Sequence, residues 1–463
     1  MSMNRRDFLA RSGQLTLGIG ALALLPGKTA RAQANADVKN AELVTVTQQS
    51  AVLTWESENP TEGIVSYGLS ENGLDYQVVD PAGPTRFHRV EIQGLEPGQT
   101  VFYDIQANGE SAEPNEYSPG SFTTLTPPKG THLFTFATIT DMHVGLMSAG
   151  AVGGISSFVP VECPLDDPTC WQVGNQAVID AINKTASDFT LVKGDLSHEY
   201  QQGQFEQARS FLEQLKSPYY VVRGNHDRIG DQPEDYFKKV FGLEATHYAF
   251  SHKGVRFVVL DSSNLETGIQ EVSQEQWVWL EQQIETLGDE KLILVLHHAV
   301  TEEASIIFTL FTEDQQRLFS MLKYENNLIG ILSGHSHRNI VTHQPELDEV
   351  PCIETSSTVH YPGGYNLYHV YTGGFMQTYH KIGGNDWRIW EEAGRAMYKG
   401  DAQKILFGSL ADRNFSYRFK KSIPEPEPDE TGTGCGCQTA SDSGSLALGA
   451  AALAAGKLIG GSS

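Results

Sequence analysis

The chain has 463 residues, 40% of them hydrophobic, and a formal net charge of −24. That length allows two to four domains, each with its own core. The acidity argues against a nucleic-acid partner, because a phosphate backbone is held by a basic surface. There are five cysteines, and none sits in a zinc-finger arrangement. Cys163 and Cys170 flank a short Pro/Asp-rich turn, where a disulfide is expected in an oxidising compartment. Cys352 follows Pro351 in a β-branched apolar stretch and reads as a buried thiol.

In chain order, residues 1–32 come first. A charged start containing Arg5-Arg6, an apolar run from Leu15 to Leu25 and the small-residue site Ala30-Arg31-Ala32 define a signal peptide rather than a membrane span. With Phe8-Leu9 after the arginine pair, the segment resembles a twin-arginine signal. That resemblance implies delivery of the folded protein by the twin-arginine export machinery to the periplasm or cell envelope.

Residues 37–128 read as an all-β sandwich. Leu43–Val46, Ala51–Trp55, Gly63–Tyr67 and Val101–Ile105 alternate in strand fashion between Gly, Pro and Asn turns. Trp55 is expected at the centre of that core. The run Gly94-Leu95-Glu96-Pro97-Gly98 up to Tyr103 resembles the tyrosine corner of an immunoglobulin or fibronectin type III domain. It also resembles the N-terminal domain of purple acid phosphatases.

From residue 129 the rhythm changes to α/β. Apolar strands at 133–140, 189–193, 219–223, 292–296 and 328–333 each run into a polar cluster. Those clusters are Asp141-Met142-His143, Gly194-Asp195, Gly224-Asn225-His226-Asp227, His297-His298 and Gly334-His335-Ser336-His337. Helices are expected at Val178–Ala186, Phe205–Leu215 and Gln274–Leu287. Strands that deliver polar residues at their C-terminal ends are how open α/β sheets build sites. Tyr365–Tyr371 and Phe375–Ile382 read as a hairpin around Gly373-Gly374.

Those five blocks, in that order over residues 129–385, resemble the calcineurin-like metallophosphoesterases. The resemblance implies an α+β sandwich of two mixed sheets flanked by helices. It also implies a pair of divalent metal ions, manganese, iron or zinc, and hydrolysis of a small phosphate-ester substrate by a metal-bridging hydroxide. By carry-over, Asp141, His143, Asp195 and His337 hold the first metal, Asp195 bridges, and Asn225, His297 and His335 complete the second. His226 would face the substrate phosphate as general acid or charge stabiliser, with Asp227 orienting its ring. Hard carboxylates and neutral imidazoles suit such a pair and leave the site positive toward an anionic ester. His297 rather than His298 is expected as ligand, while His298, His360, His369 and His380 read as ordinary histidines. Gly194, Gly224 and Gly334 are expected to permit tight turns.

Asp-x-His is present, and His198 stands where purple acid phosphatases place a metal-binding tyrosine. The motifs therefore look more like the cyclic-nucleotide and glycerophosphodiester phosphodiesterases. A phosphomonoesterase and a non-catalytic surface adhesion or scaffold protein are the alternatives. Residues 146–175 form a Gly/Ser/Pro-rich insertion expected to shape the substrate pocket. Residues 386–423 are expected to pack as helices. Residues 424–463 open with a Pro/Glu linker and hold Cys435 and Cys437 before an Ala/Gly/Leu-rich run. That run is shorter than a membrane span. The segment resembles cysteine-containing envelope sorting tails without their basic end, or else is a disordered tail.

Overall fold

The computed structural model describes residues 37–149, 161–301 and 309–426. The segment expected to be a signal peptide, the centre of the 146–175 insertion and the residues beyond 426 lie outside them.

Residues Lys39 to Thr123 form a two-sheet sandwich. One sheet has the order Lys39–Val46, Ser50–Thr61, Thr85–Gln93. The other centres on Gly63–Gly68 and Thr100–Ala107, which pair antiparallel. Thr100–Ala107 buries every second residue, as period-2 alternation over one core requires. Trp55 is fully buried and stacks on His88 at 4.6 Å between ring centroids. Tyr103 is buried too, but its hydroxyl pairs with Ser118 Oγ at 3.0 Å, downstream in the chain, rather than with backbone upstream as a tyrosine corner would.

Two six-stranded sheets follow. The first runs Tyr219–Val221, Phe189–Val192, His132–Ile139, Gly364–Tyr371, Gly374–Lys381, Phe415–Arg418. The second runs Tyr248–His252, Val255–Val259, Lys291–Val295, Leu328–Ser333, Pro351–Glu354, Ile340–His343. Each has a parallel portion extended by antiparallel strands, so both are mixed. They face each other across Phe134, Phe136, Phe189, Phe257, Val295 and Tyr368. Phe136 lies between Phe189 and Tyr368, stacked at 5.2 and 4.7 Å. Helices Cys170–Ile182, Gln202–Leu212 and Asn385–Gly394 cover the first sheet, and Gln274–Glu285 and Thr312–Leu322 cover the second. The architecture is the expected pair of mixed sheets between helices, with the hairpin at Gly364–Lys381 as read.

Two segments differ from expectation. The helix assigned to Val178–Ala186 starts at Cys170, where the Gln172 side chain accepts the Thr169 N–H at 2.8 Å. Gly174 and Asn175 break its apolar pattern because they serve contacts. A Cβ at Gly174 would lie 2.4 Å from the Trp387 ring, and Asn175 donates to Met142 O at 2.9 Å. Residues 386–423 are not wholly helical. After Asn385–Gly394 and three short helical segments comes Phe415–Arg418, a strand that pairs antiparallel with Gly374–Lys381. The alternation Phe415, Tyr417, Phe419 carried that strand, with Phe415 and Tyr417 packing on Phe375.

The sandwich is bolted to the second domain. Glu42, fully buried on the first sandwich strand, meets Lys381 Nζ at 2.6 Å, Arg395 Nη2 at 2.8 Å and the Tyr361 hydroxyl at 2.6 Å. Burial alone would raise the Glu42 carboxyl, but the Arg395 and Lys381 cations hold it well below the usual range. Arg413 Nη2 donates to Leu43 O at 2.7 Å across the same seam.

Candidate metal centre

The C-terminal ends of the parallel strands meet at one edge of the two facing sheets. His132–Ile139, Phe189–Val192, Lys291–Val295 and Leu328–Ser333 each release the chain there into a loop bearing Asp or His. Lys193 stitches the sheets at this edge: its ammonium donates to Ser333 O and, at 2.7 Å, to Thr355 Oγ1. Burial pulls Lys193 down to about 7.

The loops are tightly wound. Asp141, His143, Asp195, His335 and His337 have φ of 55°, 38°, 52°, 77° and 59°. Left-handed backbone at a non-glycine residue costs about 1–3 kcal/mol and persists where the surroundings enforce it. Gly194 shares that region at φ 101°, and a Cβ there would lie 2.3 Å from His297 Nδ1. At Gly334 φ is not positive; space is what matters, since a Cβ would come within 2.0 Å of Thr140 Oγ1. Close approach, more than turn geometry, explains that glycine.

Among the described residues three donor groups result, each with ligand atoms within 4.8 Å of one another, and two of them contain a carboxylate: Asp141, His143 and His337 first, and Asp195, His297 and His335 second, with His143, His198 and His226 as the all-histidine group. Asp141 Oδ2 is tied down by Thr140 Oγ1 at 2.5 Å and the His335 N–H at 3.0 Å. Its Oδ1 therefore faces His337 Nε2 at 3.1 Å and His143 Nε2 at 3.8 Å. Asp195 Oδ1 accepts the His226 N–H at 2.8 Å. Its Oδ2 stands 3.8 Å from His143 Nε2 in the first group and 3.3 Å from His297 Nε2 in the second. One oxygen between both groups is the position a bridging carboxylate needs. Asn225 Oδ1 lies 3.1 Å and His335 Nδ1 3.2 Å from His297 Nε2. His297 Nδ1 donates to Lys193 O at 2.8 Å, which turns Nε2 to the site. The neighbouring His298 instead contacts Ser262 Oγ at 2.9 Å. All seven residues expected to hold metal thus converge.

Electrostatics fit cations. Burial opposes charge on Asp141 and Asp195, yet the facing histidines hold both carboxyls well below their usual range. Burial pushes His143 far down and His335 down to about 3, so both rings are neutral donors. Against the effect of burial, Asp195 lifts His297 to about 10. A proton there balances the carboxylates as a metal cation would. Converging carboxylates and imidazoles are a donor set that suits divalent metal ions.

His226 projects beside the first group, its ring 4.9 Å from that of His143. Its Nδ1–H donates to His198 O at 2.7 Å. Asp227 therefore does not orient the ring, contrary to expectation. Its oxygens accept the N–H groups of Leu196, Ser197 and Gly224 at 3.1, 2.9 and 3.0 Å and the Ser197 hydroxyl at 3.0 Å. Three inward-pointing amides out-compete one imidazole for a buried carboxylate. Asp227 clamps the Asp195 loop to the Asn225 loop.

Sequence reasoning missed two histidines. His198 stacks on His226 at 5.3 Å and lines a cavity of ≈ 460 Å³ with Tyr200 and Arg228. The Arg228 guanidinium lies 4.7 Å over the Tyr200 ring. His360 brings its Nδ1 to 2.6 Å from His337 Nδ1. Motif spacing marks His198 only as the residue at the purple acid phosphatase tyrosine position, and no motif spacing marks His360. The part of the insertion described here, Ser148–Ala149 paired with Val161–Glu162, is followed by a disulfide between Cys163 and Cys170.

Comparison with known proteins agrees with this geometry. Residues 134–339 match the calcineurin-like phosphoesterase family, and residues 39–124 match the purple acid phosphatase N-terminal domain. A probable glycerophosphodiester phosphodiesterase, GpdQ, of Arcobacter nitrofigilis is 24% identical over 34% of this chain and 58% of its own length. A probable cyclic nucleotide phosphodiesterase of a Synechococcus strain is 24% identical over 36% of this chain and 64% of its own length. The chain thus spans about six-tenths of the length of these curated relatives. A crystal structure of a dimetal phosphatase from Danio rerio aligns over 54% of this chain and 96% of its own, at 13% identity and a TM-score of 0.43. These matches place residues 134–339 with the calcineurin-like phosphoesterases and residues 39–124, ahead of them, with the purple acid phosphatase N-terminal domain.

Proposed function

We propose that this chain is an exported, dinuclear-metal phosphoesterase acting on small phosphodiesters. The observation that carries the reading is Asp195 Oδ2, set between two groups of ionised carboxylates and imidazoles. Two divalent cations bound there supply Lewis acidity and a nucleophile at neutral pH. Asp141, His143, Asp195 and His337 would hold the first and Asp195, Asn225, His297 and His335 the second. His226, anchored through Nδ1, presents Nε2 on the cavity side, where it holds a proton for the leaving oxygen or pairs with a phosphoryl oxygen. Arg228 adds positive charge to the wall an anionic ester would approach.

Diester preference is supported by the curated relatives, which are described as phosphodiesterases. A phosphomonoesterase is the second reading, supported by the purple acid phosphatase N-terminal domain. Export is supported by the Arg5-Arg6 signal pattern and by the Cys163–Cys170 disulfide, a bond favoured in oxidising compartments. The test compares bis(p-nitrophenyl) phosphate with p-nitrophenyl phosphate in manganese, with Asp195→Asn as control. Faster diester cleavage, lost in the control, supports the proposal, and faster monoester cleavage replaces it with the second reading. No cleavage with metal confirmed by elemental analysis would favour a scaffold. Cell fractionation of an Arg5→Lys, Arg6→Lys double variant tests export; unchanged delivery would sink the twin-arginine route.

A further inference from the structure

His360 is buried at 8% exposure, and its Nδ1 lies 2.6 Å from His337 Nδ1. The contact between two like ring nitrogens needs one donor and one acceptor. His337 Nε2 faces Asp141 Oδ1 at 3.1 Å and His143 Nε2 at 3.1 Å, on the metal side of the ring. An imidazole that gives Nε2 to a metal carries its proton on Nδ1. His337 must then donate from Nδ1, and His360 Nδ1 must accept. The His360 proton is thereby fixed on Nε2, an atom with no partner among the described residues.

The backbone that carries His360 is held on both sides. Trp390 Nε1 donates to Val359 O at 2.7 Å, and the Tyr361 hydroxyl donates to Glu42 of the sandwich at 2.6 Å. Just upstream, Ser357 Oγ donates to Asp141 O at 2.8 Å. The ring is thus delivered by a rigid segment anchored in both domains, rather than by a mobile loop. Among the other histidines of the site, His297 has a backbone carbonyl, Lys193 O, in the corresponding place.

We propose that His360 is a positioning residue that holds His337 in the Nδ1-protonated tautomer and so keeps Nε2 available to the first metal. The inference rests on the dinuclear-metal reading of the site. Partners of this kind change metal affinity by roughly 10–100-fold when removed.

The experiment titrates the full chain with manganese against a competing chelator and compares His360→Leu with His360→Asn. The Asn amide oxygen accepts the His337 Nδ1–H, whereas Leu offers no acceptor. The expected result is affinity at one of the two sites lowered roughly 10–100-fold in the Leu variant and largely restored by Asn. Wild-type affinity at both sites in a folded Leu variant would overturn the proposal, as would equal losses in both variants. If the Leu variant does not fold, proton NMR of the zinc-loaded, unsubstituted chain decides. A slowly exchanging ring N–H assigned to His337 Nδ1 supports the proposal, and protonation at His360 Nδ1 instead overturns it. Failure of the unsubstituted chain to bind any metal would refute the underlying site reading, a separate outcome.

Discussion

Asp227→Asn separates a loop clamp from a ring-orienting acid. Asp227 Oδ2 accepts the Leu196 and Gly224 N–H groups at 3.1 and 3.0 Å, and Oδ1 accepts the N–H and hydroxyl of Ser197 at 2.9 and 3.0 Å. The side chain is 1% exposed, so water does not replace a lost acceptor. Burial and the Asp195 carboxylate push Asp227 up to about 6 against the pull of those amides, so it is ionised at pH 8. Asparagine keeps one oxygen and turns an NH2 toward two buried donors. At about 1–3 kcal/mol for each unsatisfied group, the loss is about 2–6 kcal/mol. The assay is urea unfolding of chelator-stripped protein at pH 8, where metal binding does not contribute. A loss below about 1 kcal/mol would refute the clamp, given what a buried amide without an acceptor costs. A second readout is the pH dependence of kcat. It should keep its shape in the variant, because His226 is oriented by His198 O and not by Asp227.

Three further outcomes follow from the same contacts. Glu42→Gln takes one carboxylate from Lys381 and Arg395, which keep Glu391 and Glu392 as partners, and should cost about 1.5–3 kcal/mol in urea unfolding; a neutral result would mean that the remaining carboxylates suffice to hold the seam between the domains. Burial, with His369 and Arg89 nearby, pulls His380 down to about 3. The native ring therefore resists the proton that the unfolded chain takes up near 6.5, and stability should be full above that pH and fall below it. The slope is at most about 1.4 kcal/mol per pH unit, trimmed by partial exposure of the ring. His380→Gln should flatten the decline in melting temperature between pH 6.5 and 5, and an unchanged slope would count against it. Stripping metal with a chelator should abolish ester hydrolysis and remove about 2.7 kcal/mol per site relative to free manganese at a hundredfold Kd. An unchanged melting temperature on stripping would contradict the cation-binding reading.

Some of this protein was settled by the order of its residues alone. Buried parallel strands must be nearly continuous apolar runs, and such runs ending in Asp141-Met142-His143, Gly194-Asp195, Gly224-Asn225-His226-Asp227, His297 and Gly334-His335-Ser336-His337 located one edge of a sheet and its polar contents. Period-2 alternation located the sandwich and placed Trp55 at its centre. Those signals are local, so a chain read residue by residue carries them. What only the tertiary structure decided depends on partners far apart in sequence. His360 resembles any other histidine until a fold brings it against His337, 23 positions away. Asp227 follows His226 directly, yet its carboxylate belongs to amides 30 and 31 residues earlier. Glu42 sits in an ordinary alternating strand, and its cations lie more than 330 positions downstream. The left-handed backbone of Asp141, Asp195 and His335 was likewise invisible, because these residue types favour other conformations until closed packing around the site forces the turn.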